Sequence, residues 1–152
     1  MDNASITVFE LGPYVQVAAF CEQVIESKDG TLSLIRIIDT LTHQEHGVAP
    51  PPEMPTVQWK MKLVLMLKSG RARGRHEIKI VPVLPSGETK PPFVTSVHLE
   101  GEERGTNVVL DMHFQFELEG LYWFNTYFDD KLITRLPFRV KYMRILTGSS
   151  QM

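Results

Sequence analysis

From Val108 to Leu118 apolar and polar positions alternate with a period of two. Val108, Leu110, Met112, Phe114, Phe116 and Leu118 fall on one side, and Asp111, His113, Gln115 and Glu117 form most of the other. A strand sends successive side chains to opposite faces, whereas a helix would scatter these six apolar residues around its axis. The segment is predicted as a strand with one wet face, the pattern of an antiparallel sheet. Val57, Trp59, Met61, Leu63, Leu65 and Leu67 repeat the signal against Gln58, Lys60, Lys62 and Lys68, with Val64 and Met66 making the outer face partly apolar. Tyr122, Phe124 and Phe128 share a face, and Leu132, Leu136, Phe138 and Val140 do so on the far side of Asp129-Asp130-Lys131. Two alternating runs around a short acidic turn predict a hairpin. Pro137 has no N–H for a ladder, so the returning strand is expected to be an edge there.

Weaker alternation runs through Val15, Val17, Ala19 and Cys21, with a turn at Ser27-Lys28-Asp29-Gly30. A single helical turn over Ala19 to Ser27 is the lesser alternative. Leu32 to Leu41 is apolar on both faces and reads as a central, buried strand. Gly74 to Leu84 and Phe93 to Leu99 supply two more strands, separated by the turn Pro85-Ser86-Gly87-Glu88. About eight strands with turn residues between them predict an all-β chain: a two-sheet antiparallel β-sandwich, immunoglobulin-like or C2-like. The connector 43–56 carries prolines at 50, 51, 52 and 55, which hold it extended and strip it of ladder donors. Residues 147–152 read as a short flexible tail, and the whole chain, 1–152, as a single domain.

Composition narrows the class without naming a function. The chain has 152 residues, 43% hydrophobic and 22% charged, with a formal net charge of −2. A chain this long buries enough surface to fold without disulfides or metals. Its charge gives no global attraction to nucleic acid or to an anionic membrane. Cys21 is the only cysteine, so no internal disulfide forms and a reducing cytoplasm is expected. The N-terminus lacks a basic segment followed by an apolar one, so no leader is expected. No apolar run approaches the roughly 20 residues that span a bilayer as a helix. A soluble cytoplasmic protein follows from these readings.

Candidate chemistry is sparse. The sequence has no G-x-S-x-G, Walker loop, H-E-x-x-H or G-x-G-x-x-G, and an enzyme is not expected. His43 and His46 are two loop histidines where zinc needs three or four convergent ligands. Asp29, Asp39, Asp111, Asp129 and Asp130 are too dispersed for calcium, and acidic residues favour turns in any case. No metal and no cofactor is expected. Arg71, Arg73 and Arg75 would share one strand face at intervals of about 6–7 Å. They form a candidate polyanion site, against the simpler reading of a flexible, solvated hairpin tip. Gly70, Ala72 and Gly74 interleave where an RNA-binding sheet would carry aromatics, so nucleic acid is not expected. Pro50, Pro51 and Pro52 would suit an aromatic groove on a partner, or simply carry the chain between sheets. Trp123 and Tyr127 lie on the face opposite Tyr122 and Phe124. Uncovered, they would mark a contact surface; covered, they would pack beneath a loop.

Several stretches in order along the chain resemble a family of small bacterial proteins of unknown function. They are Phe20-Cys21-Glu22, Lys28 to Asp39, Ser69 to His76, Pro85 to Glu88, and Asp129 to Leu132 running into Arg135 to Val140. The resemblance spans about residues 14–142 and implies a β-sandwich domain, with no activity or site residues to carry over. The expected role is a non-catalytic interaction or assembly module engaging an unidentified protein partner or a second copy, without a membrane. The alternative is a polyanion- or ligand-binding domain using Arg71, Arg73 and Arg75.

Overall fold

The computed structural model describes residues 12–148. Its elements are β1 (Tyr14–Glu26), β2 (Leu32–Ile38), β3 (Thr40–Gly47), β4 (Val57–Val83), β5 (Phe93–Phe116), β6 (Gly120–Phe128) and β7 (Lys131–Leu146). The all-β expectation holds, and no helix occurs among the described residues, Ala19 to Ser27 included. Most of the 147–152 tail and the segment read for a leader lie outside the described residues.

The strand count is seven rather than about eight. Val57–Lys68 and Gly74–Val83 are parts of one 27-residue strand, β4, and Phe93–Leu99 and Val108–Phe116 are parts of the 24-residue β5, so the strands stop short of Leu84 and Leu118. Ser69 to Gly74 has the composition of a turn, but the two strands stay paired through it by shifting register on either side of Gly70. Gly70 and Gly74, at φ 60° and 85°, take up the irregularity as glycines at bulges do. Conversely, Leu32–Leu41 divides at Asp39 into β2 and β3.

All seven strands form one hydrogen-bonded sheet in the order β2-β1-β4-β6-β7-β3, with β5 on the other side of β4. The layers are therefore two ends of a continuous sheet rather than two separate sheets, because β4 and β5 run unbroken from one to the other. β1 pairs along Lys62–Lys68 of β4, and β6 pairs along Ile78–Val83. The two ends meet through aromatic rings. Phe20 of β1 lies edge-on to Phe124 of β6 at 4.9 Å and to Phe138 of β7 at 5.4 Å, while Phe116 of β5 stacks on Phe138 at 5.5 Å. Each fully buried aromatic contributes roughly 1.5–3 kcal/mol by removal from water.

Two further expectations are corrected. β2 is an edge strand, not a central one: Ile35 and Ile37 remain 42% and 64% exposed. Apolar residues on both faces suggested burial, but among the described residues no strand pairs beyond β2. The sheet is also not wholly antiparallel, since β3 runs parallel to β7 from Thr40↔Arg139 to Gly47↔Leu146. The chain passes from β2 through Asp39 to the opposite layer without reversing, so β3 enters beside β7 in the same direction. Pro137 precedes this pairing and faces a strand on one side only, as an edge position requires.

Candidate functional site

The outer surface of β4, β6 and β7 brings Trp123 and Tyr127 together with a row of cations. The β6–β7 hairpin turns on Asp129 and Asp130, both at positive φ, which matches a two-residue turn between twisted strands. Alternation along β6 sends Tyr122, Phe124, Thr126 and Phe128 into the core and leaves Leu121, Trp123, Asn125 and Tyr127 half-buried on the outside. Trp123 stands between Val83 and Pro137, and Tyr127 between Lys79 and Leu132. Arg135 lies over the Trp123 ring, its Cζ 4.2 Å from the centroid, with its Nε donating to Asn125 Oδ1 at 2.8 Å. This cation–π contact covers part of the indole without burying it.

On β7, Arg135, Pro137, Arg139 and Lys141 are all exposed, at alternate positions. Arg139 pairs in register with Leu121 and Thr40, and Lys141 with Thr42. The outward positions beside them are Leu121, Trp123, Asn125 and Tyr127 on β6 and Thr40, Thr42, Gln44 and His46 on β3, while just before β6 the Glu119 carboxylate accepts from the Tyr142 N–H at 3.3 Å, next to Lys141. Arg139 and Lys141 make no ion pair among the described residues. Individual cations in a strand were legible in the sequence; their aromatic neighbours were not.

Arg71, Arg73 and Arg75 occupy different surroundings. They are exposed in the middle of β4, paired with β5, and do not form the tip of a hairpin. Arg73 Nη1 donates to the Glu100 carbonyl at 2.6 Å, and its guanidinium lies 3.6 Å from the Glu102 carboxylate. Glu100 in turn meets Arg104 at 3.3 Å. The basic stripe therefore sits against an acidic one.

The proline connector begins at Val48, because His43 to Gly47 belong to β3. Pro50 is buried, Pro51 and Pro52 are exposed, and β7 holds the segment down. Tyr142 Oη donates to the Pro51 carbonyl at 2.6 Å, and Arg144 Nη2 donates to the Pro50 carbonyl at 2.9 Å. His43 is no loop residue: its Nε2 lies 2.6 Å from Glu45 Oε2, and its ring stacks on Tyr142 at 6.2 Å. His46 Nε2 lies 3.3 Å from Gln44 Oε1. Among the described residues no three His, Cys, Asp or Glu side chains group as metal ligands, and no helix is long and apolar enough to cross a membrane.

One polar pair had no signal in the sequence, since its members are 53 residues apart. His76 Nδ1 donates to Asp129 Oδ2 at 2.5 Å, its Nε2 lies 2.7 Å from the Arg73 carbonyl, and its ring stacks on Phe128 at 4.6 Å. Burial alone would lower the His76 pKa, but Asp129 and the Arg73 carbonyl together raise it above the ordinary 6.5. Burial pushes the Asp129 carboxyl up, yet the Glu77 N–H and His76 hold it below its ordinary 3.8.

The sequence signature of a family of unknown function, DUF6941, matches residues 16–141. The chain belongs to this family. The DUF6941 match runs from β1 into β7, so it includes both basic stripes and the Trp123 face. Among solved structures, an immunoglobulin-like protein from Pseudomonas aeruginosa is 15% identical, with a TM-score of 0.42 over 87% of this chain and 98% of that one. No curated protein matches the sequence significantly.

Proposed function

We propose that this DUF6941 protein is a non-catalytic interaction module that docks a protein partner on the outer face of β4, β6 and β7. The observation carrying this reading is the meeting of half-buried Trp123 and Tyr127 with Arg139 and Lys141, which form no ion pair among the described residues. Aromatic and arginine side chains contribute most to protein interfaces when a partner excludes water from them. Complementarity then requires a partner surface with carboxylates around apolar side chains. Two copies joined through this face about a two-fold axis would set like charges against each other, which favours a different protein over self-association. A reducing, cytoplasmic setting fits the buried free thiol of Cys21.

The test begins with low-salt purification from the native host and reconstitution with the purified co-eluting protein. Trp123→Ala should abolish that association while the circular dichroism spectrum and unfolding midpoint stay near those of the parent. Association that survives Trp123→Ala but is lost on Arg71→Glu with Arg75→Glu would move the site to the other stripe. Co-eluting nucleic acid or another polyanion that salt strips away would support the ligand-binding alternative.

A further inference from the structure

Residues of β1, β2, β3 and β4 line a partly open cavity of about 360 Å³. Its polar side is an ion pair between Arg36 Nη1 and Glu22 Oε2 at 3.2 Å, and both side chains are largely exposed. Its apolar side is Ile38, Leu41 and the indole of Trp59, with Thr40 and Thr42 at the rim. Two features of this place carry a cost in the protein alone. Arg36 sits at φ 58°, a left-handed conformation that a side chain with a Cβ adopts only at a cost. Such strain recurs at ligand sites. The Trp59 Nε1–H is buried and has no acceptor, although buried donors are almost always satisfied.

We infer that this cavity binds a small zwitterion, a free α-amino acid with an apolar side chain. Its charge pattern selects for that class. A lone anion is drawn to Arg36 and repelled by Glu22, and a lone cation meets the reverse. A molecule carrying both charges on one carbon satisfies both: the α-carboxylate takes charge-assisted hydrogen bonds from the guanidinium, and the α-ammonium donates to the carboxylate. The side chain then leaves water against Ile38, Leu41 and Trp59. The volume lies at the small end of the range of about 300–1,000 Å³ that ligand pockets occupy. Thr40 and Thr42 of the cavity rim pair in register with Arg139 and Lys141, but Glu22, Arg36 and Trp59 take no part in the Trp123 face, so the two readings rest on different side chains.

The experiment is a titration of the full chain with free leucine, followed through the two tryptophan indole N–H resonances, with Trp59→Phe to assign them. The expected result is a saturable shift of the Trp59 resonance with Trp123 unmoved. Arg36→Asn keeps a residue that tolerates left-handed φ while removing the guanidinium. It should weaken binding by at least about tenfold, the order of losing a charge-assisted pair. N-acetyl-leucine, which lacks the ammonium, and leucine amide, which lacks the carboxylate, should both bind more weakly than leucine. No Trp59 shift with any apolar amino acid up to about 20 mM, a weaker affinity than any useful small-ligand site, would overturn the proposal. An equal response to the doubly blocked N-acetyl-leucine amide would overturn it as well.

Discussion

β4 carries Arg71, Arg73 and Arg75, and β7 carries Arg135, Arg139 and Lys141, both rows at alternate positions of an exposed strand face. The β4 row is the denser in sequence, but β5 brings Glu100 and Glu102 against it, and Arg73 is engaged by both. The β7 row is looser and broken by Pro137, yet its neighbours are Trp123, Leu121 and the threonines of β3, and Arg139 and Lys141 form no ion pair among the described residues, although Glu119 lies next to Lys141. A cation's availability depends on the residue across the ladder rather than on its neighbours along the chain. Cross-strand partners sit about 4.5–5.5 Å apart, closer than the 6–7 Å between alternate residues of one strand.

The largest effect that separates the two rows comes from beneath one of them. Phe138 is fully buried between Pro137 and Arg139 and touches Phe20 and Phe116. Phe138→Ala should cost about 3–5 kcal/mol, the usual loss for a buried aromatic, measured by urea unfolding. Hydrogen exchange should quicken along β7 before it does along β4 at Arg71–Arg75. Trp123→Ala is next: partner affinity should fall by about 2 kcal/mol or more, roughly thirtyfold, as for a central aromatic anchor. A binding isotherm together with an unfolding curve distinguishes that loss from a loss of fold.

Charge reversal sharpens the contrast further. Arg139→Glu with Lys141→Glu should weaken partner binding by about tenfold to a hundredfold, mostly through slower association. Arg71→Glu with Arg75→Glu should change it less than about threefold, since these side chains lie outside the docking face. Surface plasmon resonance at two salt concentrations reads both. Equal losses from the two pairs would abolish the distinction between the rows.

The smallest effect concerns the hairpin that supports Tyr127. With its pKa raised above 6.5, His76 contributes stability that is complete below that pH and is lost as pH rises through its folded value. With its pKa lowered, Asp129 contributes stability present above pH 3.8 and lost as pH falls through its folded value. Their joint contribution is therefore greatest between these limits. Asp129→Asn should flatten the stability profile across that window by less than about 1 kcal/mol, because Asp129 is 46% exposed and water screens the pair. Unfolding midpoints at pH 5 and pH 8 check this.

What the sequence determined by itself was the content of the strands and most of their faces. Period-two alternation is local, so Val108–Phe116 and Tyr122–Phe128 revealed their core sides without reference to any partner, whereas Leu118, read on the same face, lies beyond β5 and is exposed. The Asp129–Asp130 turn and the single-sided pairing at Pro137 followed in the same way, from a short acidic segment between two alternating runs and from a missing N–H. The tertiary structure decided whatever depends on a distant neighbour. The turn-like Ser69–Gly74 stays in a strand because β5 remains paired beside it. The apolar Leu32–Ile38 lies at an edge because no described strand pairs on its far side, and β3 runs parallel because the chain changes layers without turning back. The same holds for the sites. Trp123 was visible as an outward aromatic, but Arg135 over its ring, the acids beside Arg73 and the cavity shared by Glu22, Arg36 and Trp59 arise only when strands far apart in sequence become neighbours.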